Sequence, residues 1–330
     1  MNVLPQKHDH LWFGDGNVVL ATNALLFRVH KGVLSLHSTV LSDMFALIQE
    51  PVVEQHLSQG DSSSMDIFDS VDSYEGLPLV MMAGDKGDDV AHLLRAIYER
   101  GYYDREDDTT PLDMITALLS LSAKYDVATV RRDVVRHLSR HFPSDLAAFE
   151  STTFVNSPLF GKPRIECYFP LLCACVTSQV DLQAFLPALL YACSAIPINK
   201  IIEEQLPILP MPMAQALLLG ERYLDYHIRS NLSTTLDMTS PRSGCPFAAS
   251  ISVCDTTRRM PQTHAMTRLF CSTELADIKG EHVVDVFFEK RCERCRHNIA
   301  AVLETRRNRI WEKMPTLFGL DGWGGMNEMK

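Results

Sequence analysis

The sequence predicts an α+β chain in two parts, with short strands and helices over roughly the first 140 residues and an almost wholly helical remainder. Three observations carry this. Short apolar runs bounded by glycine fill the stretch from residue 10 to 29. Apolar residues then recur at helical spacing in several blocks up to residue 141, and beyond residue 144 that spacing dominates.

In chain order, residues 10–13 and 17–20 flank Gly14-Asp15-Gly16, the residue types of a tight turn, so a strand pair is expected there. Residues 25–29 read as a further short strand. Ser38 is placed to cap a helix in which Leu41, Met44, Phe45 and Ile48 share a face, and Pro51 stops it. The stretch from about 51 to 76 is acidic and serine-containing and is expected to be a flexible insertion. Residues 77–82 form an apolar run between glycines, a buried strand. Val90, Leu93, Leu94, Ile97 and Tyr98 mark the next helix. Thr110-Pro111 then reads as cap and first turn of a helix to about 125, and another spans 128–141 with Val130, Val134 and Leu138 inward. In the second part, helices are expected over 165–178, 182–195, 212–236 and, as one long element, 282–313.

Composition narrows the function. The 46% hydrophobic and 22% charged fractions are those of a folded globular chain. The net charge is −10, and no Lys or Arg occurs between residues 31 and 86. This acidic block disfavours a nucleic-acid partner. No apolar run reaches the roughly 18–20 residues that span a bilayer, so no membrane association is expected. Residues 1–12 show no export signal, and the nine cysteines, none before Cys167, read as reduced thiols. A cytoplasmic or nuclear protein is the expectation.

The run Phe27-Arg28-Val29-His30-Lys31-Gly32-Val33-Leu34-Ser35-Leu36-His37-Ser38, followed by Leu41, Met44 and Phe45, closely resembles the signature of BTB/POZ domains. Its matching positions are Phe27, His30, Lys31, Leu34, Ser38, Met44 and Phe45. The later pieces, around Leu77-Pro78-Leu79-Val80 and Leu93 to Tyr98, follow in the order of that family. The resemblance implies a BTB/POZ fold, a short mixed sheet flanked by helices, over residues 8–142. Residues 144–330 then form a helical domain of unknown role. The run from Trp311 to Trp323, within a tail of residues 311–325, resembles the end of fungal, mushroom-type (basidiomycete) BTB proteins. One departure is Asn17, where many BTB domains carry an Asp that lines a charged pocket at the dimer seam.

The resemblance implies pairing through the first helices and the N-terminal strand. Leu11, Val33, Leu34, Leu36, Val40, Leu41, Met44 and Leu47 are the candidate dimer surface. The expected function is therefore a scaffold that forms a homodimer or a BTB heterodimer. The alternative is a substrate adaptor for a cullin-type ubiquitin ligase, because Ile48-Gln49-Glu50 fits that family's hydrophobic-x-Glu determinant. A transcriptional co-regulator lacks a DNA reader here, and a cryptic enzyme lacks any phosphate loop, nucleophile elbow or metalloprotease motif. His30 and Lys31 read as structural.

Cys292 and Cys295 form a CxxC, the one metal-like spacing, and a structural zinc site needs four ligands. Cys245, Cys254, Cys271 and His264 lie upstream. Against zinc, Val284, Phe288, Cys292, Cys295, Ile299 and Val302 are spaced as one face of a continuous helix, where cysteine packs as a small apolar residue. Core packing, and no metal or cofactor, is the expectation. His137 and His141 are one helical turn apart, but Arg136 and Arg140 beside them point to an exposed basic face. Arg306, Arg307, Arg309 and Lys313 read as a solvated face too, one against which the acidic insertion could fold.

Overall fold

The computed structural model describes residues 5–47, 73–153, 158–177, 182–205, 209–236, 245, 254, 269 and 274–324. It is an α+β chain in two units, the first built mainly on Met1–His137 and the second on the residues after it.

The first unit holds strands β1 (Gln6–Trp12), β2 (Val18–Ala21), β3 (Leu25–Val29), β4 (Ser73–Tyr74) and β5 (Leu77–Met81). Helices α1 (Lys31–His37) and α2 (Thr39–Leu47) precede β4; α3 (Gly87–Tyr98), α4 (Leu112–Lys124) and α5 (Ala128–His141) follow β5. The boundary between units falls within α5. The sheet is mixed, in the order β1-β3-β2-β5-β4. β2 is its central strand and is buried at all four positions. That explains the unbroken apolar run Val18-Val19-Leu20-Ala21 in place of alternation. Val19, Ala21 and Leu26 pack against Trp12, Tyr74, Leu77 and Leu79.

The strand pair expected around Gly14-Asp15-Gly16 is not a pair. β3 lies between β1 and β2, parallel to the first and antiparallel to the second. The backbone N–H groups of Phe13 and Asn17 donate to Arg28 and Val29, both at 2.9 Å, so the loop is seated on β3. Gly16 is required by that seat, since a Cβ there would lie 2.9 Å from Arg28 Cγ and 3.0 Å from the Val29 oxygen. The acidic insertion is also shorter than expected at its far end. Ser73 and Tyr74 pair with Leu77 and Pro78 across Glu75-Gly76, both at positive φ (52° and 77°), the geometry of a type I′ hairpin turn. Residues 48–72 lie outside the described residues.

At α4 the expected cap is displaced by one residue. Pro111 takes the N-cap position, and Thr110 Oγ1 donates backward to the Asp107 carbonyl at 2.8 Å. On α5, Val130, Val134 and Leu138 face inward as the spacing required. His137 and His141 do too, at 0% and 8% exposure, which corrects the expected basic face. They fall on the same helical stripe as Val134 and Leu138, and Arg136 and Arg140 do not.

The second unit is helical, with α6 (Leu146–Thr153), α7 (Arg164–Thr177), α8 (Leu186–Ser194), α9 (Met211–Leu236), α10 (Gly280–Phe287), α11 (Glu293–Glu312) and α12 (Met314–Leu317). Every residue of α8 is buried, consistent with a helix apolar on all sides. The single long helix expected over 282–313 is two helices. α10 ends at Phe288, the Arg291 N–H turns back to the Phe288 carbonyl at 2.9 Å, and Cys292 is the N-cap of α11.

The chain's aromatic end closes this unit. Trp311 Nε1 donates to the Ser144 carbonyl at 2.6 Å, and its ring contacts Phe149, Tyr191 and Trp323. Phe318 is 1% exposed and occupies the space left by Gly220 on α9. Among the described residues, no helix is long and apolar enough to cross a membrane.

Candidate interaction surface and cysteine cluster

The structure divides the predicted dimer set. Leu11, Leu34 and Leu41 are each 0% exposed and belong to the chain's own core, so they are not available as surface. For Leu11 the cause is that β1 is already paired within the chain, to β3. Leu36 and Leu47 are 85% and 83% exposed, and Val33, Val40 and Met44 are half-buried. The accessible part of the set therefore lies on the α1–α2 hairpin.

The signature residues hold that hairpin in place. Phe27, Leu34 and Phe45 are core residues. Ser38 Oγ accepts the Leu41 N–H at 2.9 Å, capping α2 as expected, and donates to the Tyr125 carbonyl at the end of α4. Thr39 Oγ1 donates to Asp126 at 2.7 Å, and Arg131 holds the same carboxylate at 3.0 Å. These two partners keep the Asp126 carboxyl below its usual range, the Thr39 bond foremost. His30 donates its backbone N–H to the Tyr98 hydroxyl at 2.9 Å, and its ring contacts Phe13 and Tyr98. Asn17 Oδ1 accepts the Lys31 N–H at 2.8 Å, so this position caps α1 inside the chain. Sequence reasoning, fixed on a pocket at the seam between copies, missed that local role. Ile48 and Glu50, the residues that would meet a cullin under the adaptor alternative, lie outside the described residues.

In the helical unit, Arg309 and Lys313 are exposed as expected of a solvated basic face, but Arg307 is turned into a buried clamp. Arg307 is 3% exposed, ion-pairs with Glu150 and Glu304, and donates Nε to the Leu275 carbonyl at 2.9 Å. Lys279 reaches the same Glu150 at 3.1 Å. Arg306 donates to the Asn231 carbonyl and to the hydroxyls of Thr234 and Thr235. Acidic and hydroxyl partners within the unit thus occupy Arg306 and Arg307, two of the four basic residues that the insertion was expected to meet. A cavity of about 260 Å³, lined by Phe149, Glu150, Tyr168 and Tyr191 among others, adjoins this clamp.

The cysteines separate into two kinds. Cys167, Cys175 and Cys193 are buried on helices α7 and α8, where burial pushes the Cys175 and Cys193 thiols up. Cys245, Cys254, Cys292 and Cys295 instead converge, with all four sulfurs within 4.8 Å of one another. The Cys245 and Cys292 sulfurs are 3.8 Å apart, and the Cys292 N–H donates to Cys254 Sγ at 3.3 Å. The Cys295 N–H at the start of α11 lowers the Cys292 thiol to about 7, while burial raises Cys254. The sequence reading placed Cys292 and Cys295 on the core face of one continuous helix. The break at 288–292 removes that face, and Cys292 is an N-cap.

Comparison of the chain with protein-family models, with curated proteins and with solved structures finds no match.

Proposed function

We propose that the chain is a protein-interaction scaffold whose first unit is a BTB-type pairing module, self-associating through α1 and α2. The observation that carries this reading is the exposure of Leu36 and Leu47, at 85% and 83%, on two consecutive helices whose Leu34, Leu41 and Phe45 build a core. The order of elements supports it as well: short strands, a helical hairpin, a strand, then helices. Isolated exposed leucines are common on protein surfaces. Here two stand beside the half-buried Val33, Val40 and Met44.

Magnitudes set the expected affinity. Burying a leucine contributes roughly 1.5–3 kcal/mol, so Leu36 and Leu47 from two copies contribute about 6–12 kcal/mol. Association costs about 4–15 kcal/mol. The leucines alone roughly balance that cost, and the half-buried residues supply the surplus. The surplus is small, so a weak, concentration-dependent dimer is the expectation. A symmetric dimer needs only this one patch, because the same surface meets its own copy.

Sedimentation of the full chain across a micromolar concentration series tests the reading. A dimer that becomes monomeric on Leu36→Asp with Leu47→Asp, at unchanged circular dichroism, is expected. A chain that sediments as a monomer throughout the series would sink it. Tyr223→Ser with Tyr226→Ser, an exposed pair on α9, serves as the control that leaves the dimer intact.

A further inference from the structure

We propose that Cys245, Cys254, Cys292 and Cys295 are the four ligands of a structural zinc ion that ties Cys245 and Cys254 to the break between α10 and α11.

Distance is the first argument. Zinc holds thiolates at about 2.3 Å in a tetrahedron, which puts neighbouring sulfurs about 3.8 Å apart. Cys245 and Cys292 stand at 3.8 Å, and no pair among the four exceeds 4.8 Å. A disulfide would need about 2.05 Å. The sulfurs are thus spaced as ligands around a common centre.

Donor chemistry and coordination number point the same way. Four sulfur donors in a tetrahedral array select a soft or borderline ion, and zinc is the usual occupant. Four protein ligands leave no open coordination position, so the site is structural and not hydrolytic. Cys292, at the N-cap, and Cys295, within the first turn of α11, present two sulfurs from one short segment. The Cys292 N–H to Cys254 Sγ is the kind of contact that supports a bound thiolate. Four thiolates around a divalent ion carry a net charge of about −2. Lys290, Arg291 and Arg294, around and within the CxxC, outnumber the neighbouring Glu289 and Glu293, so the local sequence charge is opposite in sign.

The competing account is apolar packing of thiols. Core packing gathers mixed aliphatic and aromatic side chains, as around Val19 and Ala21 in the first unit. The group formed by these four residues contains cysteines alone among the described residues. Two of them arrive from positions 47 and 38 residues before Cys292, a closure that an ion bound by all four would hold.

Metal analysis of the full chain, expressed with zinc available and purified without chelator, is the test. One zinc per chain is expected. Replacement by cobalt should give the intense thiolate-to-metal absorption and the visible bands of a tetrahedral tetrathiolate site. Cys254→Ser and Cys295→Ser should lower bound zinc to background, and Cys173→Ser, outside the cluster, should leave it unchanged. Should the variants fail to fold, titrating the native chain with a mercurial and a zinc-sensitive dye decides instead, with stoichiometric release as thiols react. A folded chain isolated without zinc overturns the proposal. So does full zinc retention by the Cys254→Ser, Cys295→Ser double variant, and iron in place of zinc overturns the choice of ion. None of these readouts depends on the oligomeric state.

Discussion

Gly220→Ala opposes two effects of known size. In a helix interior, alanine is favoured over glycine by about 0.8–1 kcal/mol, so propensity alone predicts a more stable α9. Packing predicts the reverse. A Cβ at residue 220 would lie 2.0 Å from Phe318 Cδ1, 2.3 Å from Cε1 and 2.8 Å from Cγ. Carbon contacts settle at about 3.5–4.0 Å, so the ring must retreat by roughly 1.5 Å. Phe318 is 1% exposed, and Gly319 behind it, at φ 74°, fixes the turn that aims the ring. Overpacking of this kind costs about 1–3 kcal/mol, and expelling the ring forfeits about as much burial. The net expectation is destabilisation by about 1–2 kcal/mol, a fall in Tm of about 3–7 °C for a unit of this size. Urea unfolding followed by the fluorescence of Trp311 and Trp323, in a Trp12→Phe background, reads this unit selectively. The decisive arm is a double-mutant cycle. Phe318→Ala alone should cost about 3–5 kcal/mol. Adding Gly220→Ala to it should then stabilise by nearly 1 kcal/mol, because the clash is gone and only propensity remains. If Gly220→Ala stabilises the wild-type chain, the close approach of α9 and the tail is wrong.

Two further outcomes follow from buried polar groups. Arg307→Met leaves the Glu150 carboxylate without its arginine and should destabilise the helical unit by about 3 kcal/mol, while Arg307→Met with Glu150→Leu should recover most of that loss in the same unfolding assay. At the other end of the chain, His8 Nδ1 accepts the N–H groups of His10 and Leu11, both at 3.2 Å, so the neutral ring holds the irregular part of β1. Burial, the largest cause, keeps the His8 pKa below its usual value. The stability it lends is therefore present above about pH 6.5 and lost as pH falls through the lower folded value. Hydrogen exchange at His10 and Leu11, corrected for intrinsic rates, should accelerate over that interval in the wild type. A His8→Phe variant should show no such pH dependence.

Much of this architecture was legible because it is written in local spacing. α2, α3 and α5 lie where apolar residues recur every three or four positions, and Ser38 caps α2 as its residue type suggested. The signature residues Phe27, Leu34 and Phe45 are core positions, which is why their spacing carries information at all. What escaped was set by distant partners. Nothing near Trp12 or Val18 reveals that β3 will lie between their strands. Arg307 reads as one of a basic cluster until Glu150, 157 residues away, is seen to pair with it. The four-and-three spacing from Val284 to Val302 persists across the break between two helices, so periodicity reported a continuous helix where Cys292 caps a new one. The sulfurs that gather beside that break come in part from Cys245 and Cys254, beyond the reach of any local pattern.

The side chains of each unit bear on the proposed scaffold role. In the helical unit, Glu150 and Tyr191, which line a cavity of about 260 Å³, are held by partners within the unit. Glu150 binds Arg307 and Lys279, and the Tyr191 hydroxyl accepts the Leu275 N–H at 2.8 Å. A general base needs a carboxylate able to meet a substrate proton, and one held by two cations inside the fold is poorly placed to take it. The surfaces of both units show the opposite economy. Leu36 and Leu47 stand out on α1 and α2, and Leu219, Tyr223 and Tyr226 repeat at four and three residues along α9, each more than half exposed. Tyrosine and leucine on an exposed helical stripe bring large contact area at modest entropic cost, the composition of binding surfaces. These outward apolar side chains support the proposed interaction role. The α1–α2 surface is where that reading is most directly tested.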